Sequence, residues 1–365
     1  MTSTFGRFFL PGPTEVLPEI LAAQAQPMIG HRGPETEALL AAMEEPLRAA
    51  FRTRQPVMIA AASATGFMEA AIRNGVRRKV LCCVGGAFAQ RFADIATACG
   101  KEVEVLKVEG GRTVEADQLQ GRLRASGADA VTVCHSESAT GALAPVAELA
   151  QAVREVDDVL LLVDGVTSVG GSPVEVDAWG LDFVVTGSQK ALALPPGLAF
   201  GVASPRLIER AKTIPGRGIY FDLVVYDEQI RKRQTPYTPA VSLLFALAAQ
   251  LERITAAGGV EARWARHDAM RSRVEQWVAR DGAKLGVAFL PCEGRRSWTV
   301  SCLKLLQSEP TGGAIAKQMA ARGFTIAPGY GKLKDTTFRI GHMGDHTVAE
   351  LDAVLGALAE VCRRG

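Results

Sequence analysis

The sequence predicts an α/β fold, with a large domain built on a mostly parallel, doubly covered sheet and a smaller α/β domain at the C-terminus. Short apolar runs rich in Val and Leu alternate with longer stretches whose apolar residues recur at helical spacing. That alternation is typical of a parallel sheet with helices on both faces. In addition, 365 residues exceed the ~250–300 residues beyond which a single core stops growing.

Residues 16–257 show this alternation throughout, and we take them as the large domain. Its predicted strands are the apolar runs at 57–61, 80–84, 103–108, 130–134, 159–163, 183–186 and 198–203. Its predicted helices, where apolar residues recur at helical spacing, lie at 34–51, 66–74, 88–100, 116–125, 145–156 and 241–257.

The two ends of the chain differ from this block. Residues 1–15 include Pro11, Gly12 and Pro13, and Pro18 follows shortly after. This segment cannot be regular helix, so we expect an extended arm that ends in a turn. Residues 258–365 are expected to form the small domain. They begin with a long helix at about 260–280 and continue with strand 297–305, helix 312–322, strands 324–327 and 336–341, and a helix from about 347.

Composition narrows the class of protein. The formal net charge is +2 and the basic residues are scattered, so we expect no nucleic-acid partner. No apolar segment approaches the ~20 residues that span a bilayer, and the start of the chain lacks the apolar region of a signal peptide. The seven cysteines are not a disulfide framework, and no Cys/His set has zinc-site spacing. We expect a cytoplasmic protein with reduced cysteines, no membrane association and no metal.

Two predicted strands of the large domain end in reactive residues. The run VLLLV stops at Asp164, and the run FVVT leads through three residues to Lys190. Parallel strands bring their carboxyl ends to one edge of a sheet, so both side chains can face one ligand. Pyridoxal 5′-phosphate (PLP) uses such a pair, because a carboxylate keeps its ring nitrogen protonated and a lysine forms a Schiff base with its aldehyde. An N-capping Asp164 and a surface Lys190 explain the same residues equally well.

A family resemblance is carried by the run VDGVTSVGGSPVEVDAWGLDFVVTGSQKALALPPGLAF. It is similar to the class V, fold-type-I aminotransferases, and most of all to the alanine–glyoxylate and serine–pyruvate or serine–glyoxylate group. The pieces FLPGPTEV, MIGHRGPETEALL, HSESATG and FRIGHMGD agree in order, so the resemblance spans almost the whole chain. It implies the fold-type-I architecture, in which the last strand of the large sheet runs antiparallel, and PLP as cofactor.

Small residues open the predicted helix at 66–74, namely Ser63, Ala64, Thr65 and Gly66. Small hydroxyl residues before a helix are first of all N-caps. The free backbone N–H groups of a helix start also bind anions. Given Lys190, we expect the anion to be the PLP phosphate.

The resemblance implies further cofactor contacts. Phe88 occupies the position of an aromatic residue that stacks on the PLP ring, although a core phenylalanine at a helix start is the alternative. Ser138 matches a residue that bonds near the ring, and Thr140 is a neighbouring candidate unless it only forms a turn. Gln189 touches the phosphate or the ring oxygen, or is structural.

The resemblance also implies a homodimer with shared active sites. In the family, a tyrosine and a threonine of the segment RKRQTPYTPAVSLL reach the phosphate in the neighbouring subunit. Thr238 fits the threonine. The tyrosine position holds Gln234 or Thr235, depending on how the segment is placed, so this contact departs from the family pattern. An ordinary loop is the alternative.

The predicted substrate contacts centre on Arg339, which lies inside the apolar strand TTFRIG. An arginine there is costly unless it is paired, and a guanidinium matches a substrate carboxylate, as at this position in the family. The alternative is an ion pair with a nearby Asp or Glu. The family also places Gly12 beside the substrate and the loop of His31 and Arg32 near the mouth of the site. A Pro-Gly turn and a structural loop are the respective alternatives.

The implied reaction is transamination between a small amino acid, alanine or serine, and a 2-oxo acid, glyoxylate or pyruvate, through a Schiff base on Lys190. Rival reactions on the same scaffold are those of 2-aminoethylphosphonate and ureidoglycine transaminases and of cysteine desulfurase-like lyases. The last would need a mobile nucleophilic cysteine near the C-terminal third; Cys292 and Cys302 fall there, but Cys302 lies in a predicted strand and neither lies in a recognisable catalytic loop. A PLP-binding protein without activity is the rival from another class.

Overall fold

The computed structural model describes residues 5–363. The strands are β1 (Met58–Ala60), β2 (Lys79–Val84), β3 (Glu102–Lys107), β4 (Ala130–Cys134), β5 (Ser136–Glu137), β6 (Ala142–Leu143), β7 (Leu160–Asp164), β8 (Phe183–Gly187), β9 (Ala199–Ala203), β10 (Val287–Phe289), β11 (Val300–Leu305), β12 (Ala327–Pro328) and β13 (Thr337–Gly341).

The α-helices are α1 (Pro18–Ala23), α2 (Pro34–Phe51), α3 (Ala64–Gly75), α4 (Ala87–Ala98), α5 (Ala116–Ser126), α6 (Val146–Arg154), α7 (Val176–Trp179), α8 (Pro205–Thr213), α9 (Leu223–Ile230), α10 (Val241–Ala256), α11 (Gly259–Trp277), α12 (Gly312–Ala320) and α13 (Val348–Arg363). A π-helical turn at Val278–Gly282 extends α11, and a 3-10 turn lies at Gly331–Leu333.

The large sheet has the strand order β1-β9-β8-β7-β4-β2-β3. Its five strands from β3 to β8 pair in parallel, whereas β9 is antiparallel to β8 and to β1. The mostly parallel sheet is therefore confirmed, together with the antiparallel last strand. Because β4, β7 and β8 are neighbours that run in the same direction, their carboxyl ends meet at one edge of the sheet.

Helices cover both faces of this sheet, as predicted. Successive residues of a strand point to opposite faces, so Val163 packs in one hydrophobic cluster and Leu162 in the other. The first cluster takes apolar residues from α2, α6 and α10, and the second takes them from α3, α4 and α8. Burial on both faces explains why these strands are continuous apolar runs.

The C-terminal part contains an antiparallel sheet of order β10-β11-β13-β12. Its core includes residues of α11, α12 and α13, together with Phe9 from the N-terminal arm. The Phe9 N–H donates to the Thr325 carbonyl at 2.7 Å, and its carbonyl accepts from the Gly341 N–H at 2.8 Å. Helix α11 contributes Trp264 to the core of the large sheet and Met270 to that of the small one, so a domain boundary at residue 257 stays a prediction.

The structure differs from the sequence prediction near the N-terminus and in two strands of the C-terminal part. Residues 18–23 form helix α1, although the segment through Pro18 was expected not to be helical. Pro18 is at the first helical position, which tolerates proline because the missing N–H would have no partner there. Strand β10 was not predicted, because three residues are too few to show a periodicity. Predicted strand 324–327 shortens to the two residues of β12.

Among residues 5–363 no single helix has both the length and the apolar composition needed to cross a membrane. Helix α10 and the segment Gly259–Gly282, which are bent by 80° relative to each other, meet those two criteria only when taken together.

Candidate active site

Lys190 follows β8 and lies at the carboxyl edge of the large sheet. Its side chain is buried, with 9% exposed, and Nζ donates to the Pro11 carbonyl at 2.6 Å. The N-terminal arm also contacts the backbone of Lys190, because Thr14 Oγ1 donates to the Lys190 carbonyl at 3.2 Å. Burial lowers the pKa of Lys190 to about 8, against the charge of Asp164, which raises it. The lysine is therefore easily available as a neutral amine.

Asp164 ends β7, the strand next to β8, and lies in register with Val185. It is 4% exposed, and Oδ1 accepts a hydrogen bond from the Val166 N–H at 2.9 Å. No cation of the described chain lies within ion-pair distance of its carboxylate. Burial raises the pKa of Asp164 to about 6. An ionised carboxylate in such a place requires a cationic partner from outside the chain.

One cavity of about 390 Å³ joins these two residues. Its walls include nine residues that the sequence predicted: Gly12, Ser63, Ala64, Thr65, Phe88, Ser138, Asp164, Gln189 and Lys190. The chain brings them together because the ends of β4, β7 and β8, the starts of α3 and α4, and the arm all meet at this edge.

Gly12 fits between the arm and the lysine. A Cβ at this position would lie 2.3 Å from Lys190 Nζ, and φ is 126°, a region that L side chains rarely adopt. Glycine is thus required both for space and for conformation. The close approach to Lys190 and the positive φ explain why position 12 is glycine better than the Pro-Gly turn that the sequence suggests.

The start of α3 has the geometry of an anion site. Ser63 is the N-cap residue but makes no side-chain cap hydrogen bond, which leaves its hydroxyl free for a ligand. Ala64 and Thr65 are the first two helical residues, whose N–H groups have no partner within a helix. Gly66 does not line the cavity. Its N–H donates to the Ser63 carbonyl at 2.9 Å, and a Cβ there would meet the Phe221 ring at 2.5 Å.

The turn after β4 supplies a polar wall. Ser138 Oγ lies 2.6 Å from Thr167 Oγ1, which donates to the Ser136 carbonyl at 3.1 Å. All three residues line the cavity. Thr140 does not, because its hydroxyl turns back to accept from the Ala142 N–H at 3.4 Å.

Arg339 borders the cavity without lining it. It is 8% exposed, Nε donates to the Pro328 carbonyl at 3.1 Å, and Nη1 donates to the Ser138 carbonyl at 3.0 Å. Burial lowers the pKa of Arg339. No carboxylate of residues 5–363 forms an ion pair with it, so the ion pair considered as an alternative is not present. Two backbone carbonyls orient the guanidinium and leave its charge unneutralised.

Comparisons with known proteins bear on this geometry. A family model described as aminotransferase class-V matches residues 22–285. An uncharacterized aminotransferase of Methanocaldococcus jannaschii is 37% identical, with 92% of this chain and 87% of that protein covered. The L-aspartate–glyoxylate aminotransferase of Paracoccus denitrificans is 32% identical, with 93% and 87% covered.

The chain belongs to the class V aminotransferases. The alanine–glyoxylate aminotransferase of Nostoc sp. has the same fold, with a TM-score of 0.90, 28% identity, and 97% of this chain and 95% of that chain covered. The resemblance seen in the sequence, the fold-type-I architecture and PLP as the cofactor are confirmed.

The cavity of this class V aminotransferase fits PLP. Asp164 offers a buried carboxylate without a cation, as a protonated ring nitrogen requires. Lys190 offers an amine, and the start of α3 offers a free hydroxyl and free N–H groups for a phosphate. Phe88 supplies an aromatic ring to the wall of the same cavity. Among residues 5–363 there is no group of three or more His, Cys, Asp or Glu side chains placed to hold a metal ion.

His31 and Arg32 do not line the cavity of the single chain. Arg32 Nη1 donates to the Thr235 carbonyl at 2.7 Å, and Nη2 donates to the Pro236 carbonyl at 3.0 Å. The arginine therefore orders the loop predicted to reach the partner subunit. A direct contact of His31 or Arg32 with substrate stays a prediction.

In this loop the two threonines predicted to contact the partner subunit lie in different environments. Thr235 is buried, and its hydroxyl donates to the Tyr237 carbonyl at 2.8 Å, so this side chain is turned into its own loop. Thr238 is exposed. The geometry favours Thr238 over Thr235 for a contact with another subunit, and the role of either residue stays a prediction.

Several residues of the cavity wall were not predicted from the sequence, and three of them, Thr167, Arg91 and Tyr330, carry polar or aromatic side chains next to the predicted ones. Thr167 lies three positions after Asp164 in the same turn, a spacing that could have drawn attention to it. Arg91 lies one helical turn after Phe88, and its guanidinium carbon is 4.9 Å from the centre of that ring. Tyr330 comes from the C-terminal part of the chain, with its ring 5.5 Å from the Phe88 ring, and no local sequence pattern predicts this contact.

Proposed function

We propose that this class V aminotransferase moves the amino group of a small amino acid, alanine or serine, to glyoxylate or pyruvate. The observation that carries the proposal is the position of Arg339. Within residues 5–363 it has no carboxylate partner, and it donates to the carbonyl of Ser138, which lines the same cavity as Lys190 and Asp164. A guanidinium held in this way suits the α-carboxylate of an amino acid.

The cofactor, when bound, supplies an electron-withdrawing ring that stabilises negative charge at the substrate Cα. Lys190 would hold the cofactor and, once its amine is displaced by the amino group of the substrate, would take the proton from the substrate Cα and deliver it to the carbon on the other side of the substrate nitrogen. Its lowered pKa suits both tasks. Asp164 keeps its negative charge beside the ring nitrogen, and the start of α3 holds the phosphate.

Size supports a small substrate. The cavity of about 390 Å³ must hold cofactor and substrate together, and the aromatic side chains of Phe88 and Tyr330 stand in its wall. Glyoxylate and pyruvate, with at most one methyl group beyond the oxo acid unit, fit beside the cofactor within these walls.

Aspartate is a second candidate donor, because Arg91 also lines the cavity and forms no ion pair with residues 5–363. A second cation of this kind suits a side-chain carboxylate. The relative from Paracoccus denitrificans is named for aspartate and glyoxylate. Arg91→Ala should then weaken aspartate and leave alanine unaffected.

A desulfurase-like lyase is not supported. Cys302 is buried in β11, where its thiol lies 3.8 Å from the Ala139 carbonyl, and burial raises its pKa to about 12. Cys292 is exposed but does not line the cavity. A reactive cysteine must be a thiolate within reach of the substrate, and neither residue meets both conditions.

A homodimer with shared sites is part of the proposal. Thr238 is exposed, and its neighbour Tyr237 donates through its hydroxyl to the carbonyl of Ile219, whose side chain is 79% exposed. An exposed apolar side chain beside a predicted contact residue suits coverage by a second copy.

The experiment is a panel of amino donors, namely alanine, serine, aspartate, ureidoglycine and 2-aminoethylphosphonate, each offered with glyoxylate and with pyruvate. Chromatography of the products identifies the amino acid formed. We expect alanine or serine to give the highest kcat/KM with one of the two oxo acids. Turnover of 2-aminoethylphosphonate or ureidoglycine in preference to every amino acid would contradict the proposal.

A further inference from the structure

Glu137 is a buried carboxylate that the proposed reaction leaves without a role. It ends β5, the short strand after β4, is 4% exposed, and forms no ion pair with residues 5–363. Backbone N–H groups stabilise its charge instead. Oε2 accepts from the N–H groups of Ala89 at 2.9 Å and Phe88 at 3.1 Å, and Oε1 accepts from Ala139 at 3.0 Å.

The Phe88 and Ala89 N–H groups belong to the first turn of α4. The N-cap residue of this helix is Gly86, which has no side chain to accept from them. Glu137 performs that task from a distant segment, and its negative charge lies at the positive end of a 12-residue helix. Burial raises the pKa of Glu137, while the three backbone hydrogen bonds lower it.

The fit around this carboxylate is close. A Cβ at Gly86 would lie 2.4 Å from Glu137 Cδ. The backbone of Gly86 is extended, with φ of −176°, so its conformation does not require glycine. Glycine is required at this position because a side chain would collide with the Glu137 carboxylate.

Two walls of the cavity depend on this one side chain. On one side it holds the backbone of Phe88, whose ring lines the cavity and packs on Tyr330. On the other it holds the turn whose Ser138 carbonyl accepts from Arg339 at 3.0 Å. The two oxygens of the Glu137 carboxylate therefore fix both the backbone of Phe88 and the turn whose Ser138 carbonyl orients Arg339.

We propose that Glu137 is a positioning residue, which keeps the Phe88 ring and the Arg339 guanidinium at the spacing that cofactor and substrate carboxylate need. The inference rests on the proposed function for its substrate side, but its cofactor side depends only on PLP binding. A plain helix cap would stabilise α4 and do nothing more.

The test is Glu137→Gln in the full chain. The amide has nearly the same shape, but one of its ends is a donor, so it cannot accept from both Ala89 and Ala139. We expect a folded protein that binds PLP more weakly, with an altered visible circular dichroism of the bound cofactor. KM for amino donor and oxo acid should rise roughly tenfold or more, since small misplacements in a site are costly, with a smaller change in kcat.

Glu115→Gln is the matched control. Glu115 is also the N-cap residue of a helix, α5, and its carboxylate pairs with Arg295 at 3.0 Å, but unlike Glu137 it holds no residue of the cavity wall. Its variant should lower the thermal midpoint and leave PLP affinity, circular dichroism and KM unchanged. If Glu137→Gln behaves in the same way as this control, Glu137 is a structural cap and the inference is wrong.

Gly86→Ala covers the case in which Glu137→Gln does not fold. This variant keeps the negative charge of Glu137, but the added methyl group displaces the carboxylate. PLP affinity should therefore fall in this variant as well. Unchanged PLP affinity and circular dichroism in Gly86→Ala would overturn the inference. If the wild-type protein bound PLP but turned over no donor of the panel, the proposed function would fail, while these two cofactor readouts would still test Glu137.

Discussion

At the scale of single residues, burial moves the pKa values of the two central groups toward each other. It lowers the pKa of Lys190 to about 8 and raises that of Asp164 to about 6. Between these values the lysine is largely protonated and the aspartate ionised. The lysine attacks an aldehyde only as the neutral amine. The two titrations therefore determine whether the rate of PLP attachment rises or falls with pH.

The rate at which the PLP-free protein attaches PLP should therefore rise with pH and level off above about 8. The neutral fraction of Lys190 increases through that range while Asp164 stays ionised. Stopped-flow absorbance over a pH series measures it. A rate that falls with rising pH would show that the lysine does not titrate in this way.

Asp164→Asn tests the carboxylate. The amide is nearly isosteric but carries no charge for the ring nitrogen, so kcat should fall at least ~100-fold. Asp182→Asn is the matched control, since Asp182 is also buried but lies before β8, at the opposite edge from Lys190, and pairs with Arg206. It should lower stability and spare kcat. Unchanged kinetics in Asp164→Asn with PLP bound would contradict the assignment.

Arg339→Ala tests the substrate class. Loss of a charge-assisted contact should cost about 2–5 kcal/mol in kcat/KM for alanine, serine and glyoxylate alike. PLP attachment should persist, and Arg339→Lys should restore only part of the loss, because an ammonium lacks the planar fork. A variant with normal kinetics and a sharply lowered thermal midpoint would make Arg339 a structural residue.

At the scale of elements, the site is assembled from strand ends and helix starts, and the N-terminal arm closes it against Lys190. Gly12→Ala should push the arm or the lysine away, because of the 2.3 Å approach to Nζ, and should weaken PLP attachment strongly. Gly216→Ala is the matched control, with φ of 75° but no atom within 4 Å of its added Cβ. Equal PLP binding in the two variants, measured by absorbance titration, would refute the role given to the arm.

The strands and helices of the large domain could be predicted because their periods are local properties of the sequence. Strand ends also predicted Asp164 and Lys190, since a parallel sheet brings such ends together. Tyr330 and Glu137 could not be found in that way. Tyr330 reaches the cavity from the small domain, and Glu137 acts on backbone N–H groups of Phe88 and Ala89, far away in the sequence.

At the scale of the whole molecule, the N-terminal arm and Tyr330 of the C-terminal part complete a site that begins in the large sheet, and a second subunit is proposed to add Thr238. Mixing Lys190→Ala chains with Thr238→Ala chains tests this. With shared sites, each hybrid dimer contains one doubly altered site and one site free of both changes, so activity should recover on mixing. Thr238 acting within its own chain would leave one change in each site and give no recovery, and an active monomer in sedimentation would also end the idea.

The most direct test of the account is to locate the lysine that carries the cofactor. Borohydride reduction of the PLP-loaded protein fixes the cofactor to its lysine, and mass spectrometry of the peptides identifies the position. We predict one label, on the peptide that contains Lys190, and no label in Lys190→Ala. A label on another lysine, or the same label in the variant, would contradict the central claim that Lys190 holds PLP opposite Asp164.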